Sequence, residues 1–169
     1  MAKKDTPSVL LPNHIVPIHY TIFLHPDLDN FVFEGEETIE INVAKPESSI
    51  VLHSAEIEIL EAYVLVGKKE IPSKRISYNK KSETATILLT EKLAKGKAKI
   101  KIKFTGILND KMRGFYRSRY THNGKTFHMG VTQFESTDAR RCFPCFDEPA
   151  LKATFDVSLK IPADRTVIS

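Results

Sequence analysis

The run Lys97-Ala98-Lys99-Ile100-Lys101-Ile102-Lys103-Phe104 decides the fold class. It alternates without a break, so an extended chain puts Ala98, Ile100, Ile102 and Phe104 on one face and four lysines on the other. A helix would scatter both sets around its axis. The same period recurs in Thr154-Phe155-Asp156-Val157-Ser158-Leu159-Lys160 and in Thr38-Ile39-Glu40-Ile41-Asn42-Val43, with Phe31 and Phe33 in phase upstream. Gly35 interrupts that last strand, as a bulge or bend does. Shorter strands are predicted over residues 20–25, 50–53, 56–60, 62–66, 84–89 and 127–134.

Turn residues punctuate these runs at Pro26-Asp27, Pro46-Glu47, Gly67, Asn79, Gly96 and Asn123-Gly124. The Asn-Gly pair is the strongest hairpin signal, because both residues tolerate positive φ. No long window carries a 3.6-residue period, and only residues 137–141 read as one helical turn, with Asp138 near its start. Many short strands with one polar face predict an all-β fold of antiparallel sheets packed on each other.

The chain has 169 residues, 25 Lys+Arg against 21 Asp+Glu, two cysteines and no tryptophan. That is the length of one domain, with enough apolar material for a core. A net charge of +4 with both signs interleaved is too small to indicate a nucleic-acid binder. The stripe Lys97, Lys99, Lys101 and Lys103 lacks interleaved aromatics, so it reads as a solvated strand face or a protected sheet edge. Two cysteines make no disulfide framework. The opening apolar run Val9-Leu10-Leu11 stops at Pro12, too short for an export signal, and no apolar stretch approaches the roughly 20 residues that span a bilayer. A cytoplasmic protein without a membrane partner is expected.

Cys142-Phe143-Pro144-Cys145 admits three readings: a redox dithiol, half of a zinc site, or half-buried structural cysteines in a turn. No second cysteine pair completes a zinc site, and no helical pattern follows as in a thioredoxin-like motif. The structural reading is preferred. None of the six histidines makes an H-E-x-x-H motif, and G-x-S-x-G, P-loop and dinucleotide fingerprints are absent.

Gln133 and Glu135 form the most suggestive polar pair. In an extended segment they share a face, about 7 Å apart, with Met129 and Val131. An apolar face ending in a carboxamide and a carboxylate suits the rim of a pocket for a cation such as an ammonium group. Two plainer readings stay open: a polar pair facing solvent, or Glu135 bridging to Arg140 or Arg141.

At this pair the sequence resembles a known family. The stretch Gly106 to Tyr120, centred on Asn109-Asp110-Lys111-Met112-Arg113-Gly114-Phe115-Tyr116, resembles a signature of puromycin-sensitive-type aminopeptidases, within the aminopeptidase N family of zinc peptidases. So does Val131 to Phe155, which holds Gln133-Phe134-Glu135-Ser136-Thr137-Asp138-Ala139-Arg140 and Cys145-Phe146-Asp147-Glu148-Pro149. Leu11-Pro12, Val16-Pro17-Ile18-His19-Tyr20 and Phe33-Glu34-Gly35 match in order upstream.

The resemblance implies a tail over residues 1–10 and the family's N-terminal β-saddle domain over 11–169. It also implies that the last part of the saddle and the catalytic domain are missing. The H-E-x-x-H zinc site and G-x-M-E-N motif of such enzymes belong to the missing domain, and no cofactor is expected in this fragment. By motif position, Glu135 would hold the α-ammonium of a peptide with a free N-terminus, and Gln133 would line the pocket for the first side chain. The chain alone would be inactive, with the enzyme's own catalytic domain as its partner. The alternative is a stand-alone β-sandwich interaction module; a redox protein using Cys142 and Cys145 is a weaker third.

Overall fold

A computed structural model describes residues 10–168. The predicted tail, Leu10 apart, lies outside the described residues. Alternating apolar residues pull the described residues into ten strands: β1 (Ile15–Asp27), β2 (Val32–Val43), β3 (Glu47–His53), β4 (Ile57–Val66), β5 (Lys69–Asn79), β6 (Thr84–Leu93), β7 (Gly96–Ile107), β8 (Gly114–His122), β9 (Lys125–Gln133) and β10 (Thr154–Leu159). One 3-10 turn, Ala139–Arg141, falls inside the segment predicted to be helical.

Eight strands form one curled sheet in the order β10-β1-β2-β7-β4-β5-β6-β3, and β8 and β9 form a separate hairpin. The curl happens in β5. Its residues Lys69 to Pro72 pair with β4, whereas Ser73 to Asn79 pair with β6 across an irregularity between Ser73 and Arg75. The layer β5-β6-β3 thereby turns back over β1-β2-β7-β4. Ile50, Leu52, Ala85, Ile87 and Leu93 from one layer share a single core with Ile39, Ile41, Val64, Ile100 and Ile102 from the other. Each isoleucine, leucine or valine among them contributes about 1.5–3 kcal/mol when fully buried. The all-β, sandwich-like prediction holds.

Four expectations are corrected. First, the pairing is not wholly antiparallel: β10 lies parallel to β1, from His19 opposite Thr154 to Leu24 opposite Leu159. The long connection between these strands permits it. Second, β7 is not an edge. It lies between β2 and β4, and its exposed lysines meet carboxylates across the β2 pairing, Lys99 with Glu40 at 2.6 Å and Lys103 with Glu36 at 3.6 Å. Third, β2 runs through Gly35 in continuous register with both neighbours. The glycine is there because a β-carbon would overlap the ring of Phe104. Fourth, Phe31 precedes β2 at φ 57° rather than extending it.

Glu37 is the one acid on the core face of β2, opposite Ile22 and Ile102. It is 3% exposed, and neither carboxylate oxygen has a hydrogen-bond partner. Burial holds its carboxyl protonated well above the ordinary carboxylate range. Among the described residues, no helix is long and apolar enough to cross a membrane.

Candidate functional site

The hairpin closes through Asn123 and Gly124, at φ 48° and 72°, the positive pair that a two-residue turn requires. Its open end pairs Gly114 with Gln133, the last residue of β9. Met129, Val131 and Gln133 share a face as the alternation dictates, but this face is largely exposed rather than part of the core.

Glu135 does not continue that face. After Phe134 the chain turns, and the Asp138 N–H donates to the Phe134 carbonyl at 2.9 Å. Glu135 therefore stands on a turn at the end of the strand, next to a cis peptide bond with Ser136. Phe134 packs edge-on against Phe143, with centroids 6.0 Å apart. Gln133 and Glu135 are both exposed, and among the described residues neither side chain makes a hydrogen bond or ion pair.

The expected alternative bridge from Glu135 to Arg140 or Arg141 does not form. Arg140 reaches Asp147 at 2.9 Å and Glu83 at 3.3 Å. Arg141 reaches Asp138 at 2.9 Å and Glu56 at 3.1 Å, and also contacts Glu83. Both arginine side chains are 9% exposed, and their pairs with Asp138 and Asp147 are shielded on both sides, so a lost partner there costs far more than on the surface; Glu83 and Glu56 are more open to solvent. The carboxylates that neutralise them come from the loops around residues 56, 83, 138 and 147. Glu135 is left over.

Asp138 organises the base of this turn. Its two oxygens accept from Arg113 Nε at 3.1 Å and Arg141 Nε at 2.9 Å. Burial opposes its ionisation, but the hydrogen bonds to Arg113 and Arg141 outweigh burial and hold the carboxyl below its usual range. Asp138, expected only at the start of a helical turn, makes no side-chain capping hydrogen bond there.

The following loop is tied to β3. His53 and Cys145 exchange backbone hydrogen bonds of 2.8 and 3.0 Å, and the Phe146 N–H donates to the Tyr20 hydroxyl at 3.1 Å. Cys142 and Cys145 are free thiols, 1% and 4% exposed, and so more deeply buried than predicted. Burial is the main cause that raises both thiols above their usual range, the opposite of what thiolate chemistry needs. Burial, and next the charge of Arg140, also push His53 below the ordinary histidine range.

Among the described residues, no three His, Cys, Asp or Glu side chains converge to hold a metal ion. His14, His19 and His25 lie within 4 Å of Glu47, Asp156 and Glu34 respectively. The described residues do not fit a zinc site.

Residues 16–169 match the family model described as the peptidase M1 N-terminal domain. The chain belongs to this family. This M1 N-terminal domain is 46% identical over 151 residues to aminopeptidase 2 of Candida albicans, covering 89% of this chain and 16% of that protein. It is 40% identical over 163 residues to aminopeptidase M1 of Arabidopsis thaliana, covering 94% and 18%. With the puromycin-sensitive aminopeptidase of Caenorhabditis elegans it shares 40% identity over 162 residues, covering 94% and 17%. This M1 N-terminal domain therefore spans less than a fifth of the length of the relatives it matches.

Proposed function

We propose that this chain is the N-terminal domain of a zinc aminopeptidase and supplies the anchor for the substrate's free α-amine. Glu135 is the anchoring carboxylate, and Gln133 lines the pocket for the first side chain. The observation that carries this reading is the exposed Glu135 carboxylate, which has no partner among the described residues while Arg140 and Arg141 are each satisfied by other acids.

An ammonium group is the natural partner for such a carboxylate. Charge-assisted hydrogen bonds are about twice as strong as neutral ones, and stronger still once a second domain excludes water. Fixing the amine fixes which peptide bond lies next in the chain, so removal is restricted to the first residue. The zinc and the bond-breaking groups belong to a separate domain, and this chain binds and orients. The greater length of the relatives named above weighs against a stand-alone interaction module. Two free cysteines support a reducing compartment such as the cytoplasm; recovery of the native protein from secretory vesicles would contradict that.

The purified chain is expected to release no fluorophore from an aminoacyl-aminocoumarin, with or without added zinc. Zinc-dependent turnover by it would overturn the division of labour. In the full-length enzyme, Glu135→Ala is expected to raise KM by about tenfold or more, the worth of one hydrogen-bonded charge. An unchanged KM would remove Glu135 from the site.

A further inference from the structure

Apart from the packing of Phe134 on Phe143, the Glu135 turn has little of its own to hold it. It projects from the end of β9, its side chain is solvated, and one backbone hydrogen bond closes it. Yet an anchor for a ligand amine must be fixed within a fraction of an ångström to be selective. What fixes it lies beneath, at Asp138.

Three chain segments meet there. The Asp138 N–H closes the turn onto Phe134, and its carbonyl accepts the Arg141 N–H at 3.1 Å. Its carboxylate, on a side chain 7% exposed, joins Arg113, which leads into β8, to Arg141 in the 3-10 turn. Gly114, which pairs with Gln133, packs so tightly on this junction that a β-carbon would overlap the Arg141 side chain and lie 3.0 Å from the Asp138 carbonyl. Gly114 adopts φ 67°, which further favours glycine. One buried carboxylate thus ties the start of β8, the end of the Glu135 turn and the arginine cluster together.

We infer that Asp138 is a positioning residue for the amine anchor: by clamping Arg113 and Arg141 it sets where the Glu135 carboxylate stands. This rests on the reading of Glu135 given above. Asp138 touches no substrate and moves no proton. Its effect passes through Glu135 and disappears when Glu135 carries no charge.

The test is a double-mutant cycle in the full-length enzyme, measuring kcat and KM for an aminoacyl-aminocoumarin. Asp138→Asn keeps the shape but leaves one acceptor oxygen for two guanidinium donors, so one bond loses its charge assistance and the other is lost; it is expected to raise KM about tenfold with kcat changed less than about twofold. In the Glu135→Gln background the same substitution is expected to change KM less than about twofold, because the two residues act as one unit. An equal KM rise in both backgrounds would overturn the inference, since Asp138 would then act through the fold at large. So would an unchanged KM in Asp138→Asn when Glu135→Gln alone raises it, and there the anchor reading survives. If Glu135→Gln leaves KM unchanged, the anchor reading itself fails and the inference falls with it. Should Asp138→Asn not fold, Arg113→Gln replaces it in the cycle. The Arg113 side chain is 53% exposed, and a KM rise of about threefold, again only when Glu135 is intact, is expected. The same rise without Glu135, or none with it, would overturn the inference.

Discussion

The ring of Phe104 covers the bare backbone of Gly35 across the β2–β7 pairing. Two residues along β2, Phe33 covers Gly106 in the same way, and the two rings meet edge-on with centroids 6.5 Å apart. Two buried aromatics are thus accommodated in a tight sheet by two residues that have no side chain.

Gly35→Ala is therefore expected to destabilise the domain. Gly35 is not at positive φ, so the cost is the overlap with the ring, of the order of 1–3 kcal/mol for an overpacked core. Urea unfolding checks it, and Phe104→Leu in the same chain should recover part of the loss. A stable Gly35→Ala protein with an unshifted midpoint would contradict the packing.

Glu37 is expected to work against the fold at neutral pH. Its folded-state pKa is raised, so the native state holds a proton that the unfolded chain releases. Its penalty is absent at pH values below the unfolded carboxylate range. It grows by about 1.4 kcal/mol per unit as pH climbs from there toward the folded value. Glu37→Leu should remove that slope and stabilise the protein at pH 7–8 by about 1–3 kcal/mol, the cost of an unpartnered buried polar group. Urea midpoints at pH 5 and pH 8 give the comparison. A less stable Glu37→Leu protein at pH 8 would show that the carboxylate has a partner.

Cys142 and Cys145 are expected to be inert in the folded protein. Burial excludes reagents and raises both thiols. At pH 7.5 a thiol-specific colorimetric reagent should titrate neither until denaturant is added, and then both. Rapid reaction of both thiols in the native state would reopen the redox reading.

How much of this was legible follows from what each strand buries. Lys97 to Phe104 showed its strand plainly because one face is core and the other water along its whole length. β5 went unread because it leaves one layer for the other midway. Its irregularity at Ser73–Arg75 breaks the period, and only Ile71 is buried. The parallel β10 was read as a strand but not by direction, since alternation is the same whichever way a neighbour runs. Glu37 hid in the acidic run Glu34-Gly35-Glu36-Glu37, which composition assigns to solvent. At the site, Gln133 and Glu135 stood out through a resemblance to long family motifs. The turn that separates them did not, because it is imposed by Asp138 together with Arg141, three residues on, and Arg113, brought in from the start of β8.

The most direct measurement of the central claim compares, in the full-length enzyme, inhibition by an amino-acid-derived inhibitor with that by its des-amino analogue. Loss of a charged hydrogen-bonding group costs about 1.5–3 kcal/mol, so the intact enzyme should prefer the amine by roughly 10- to 150-fold. In Glu135→Ala that preference should shrink to about threefold or less, through weaker binding of the amine alone. If Glu135→Ala keeps the full preference for the amine, the ammonium is held elsewhere and Glu135 is not its anchor.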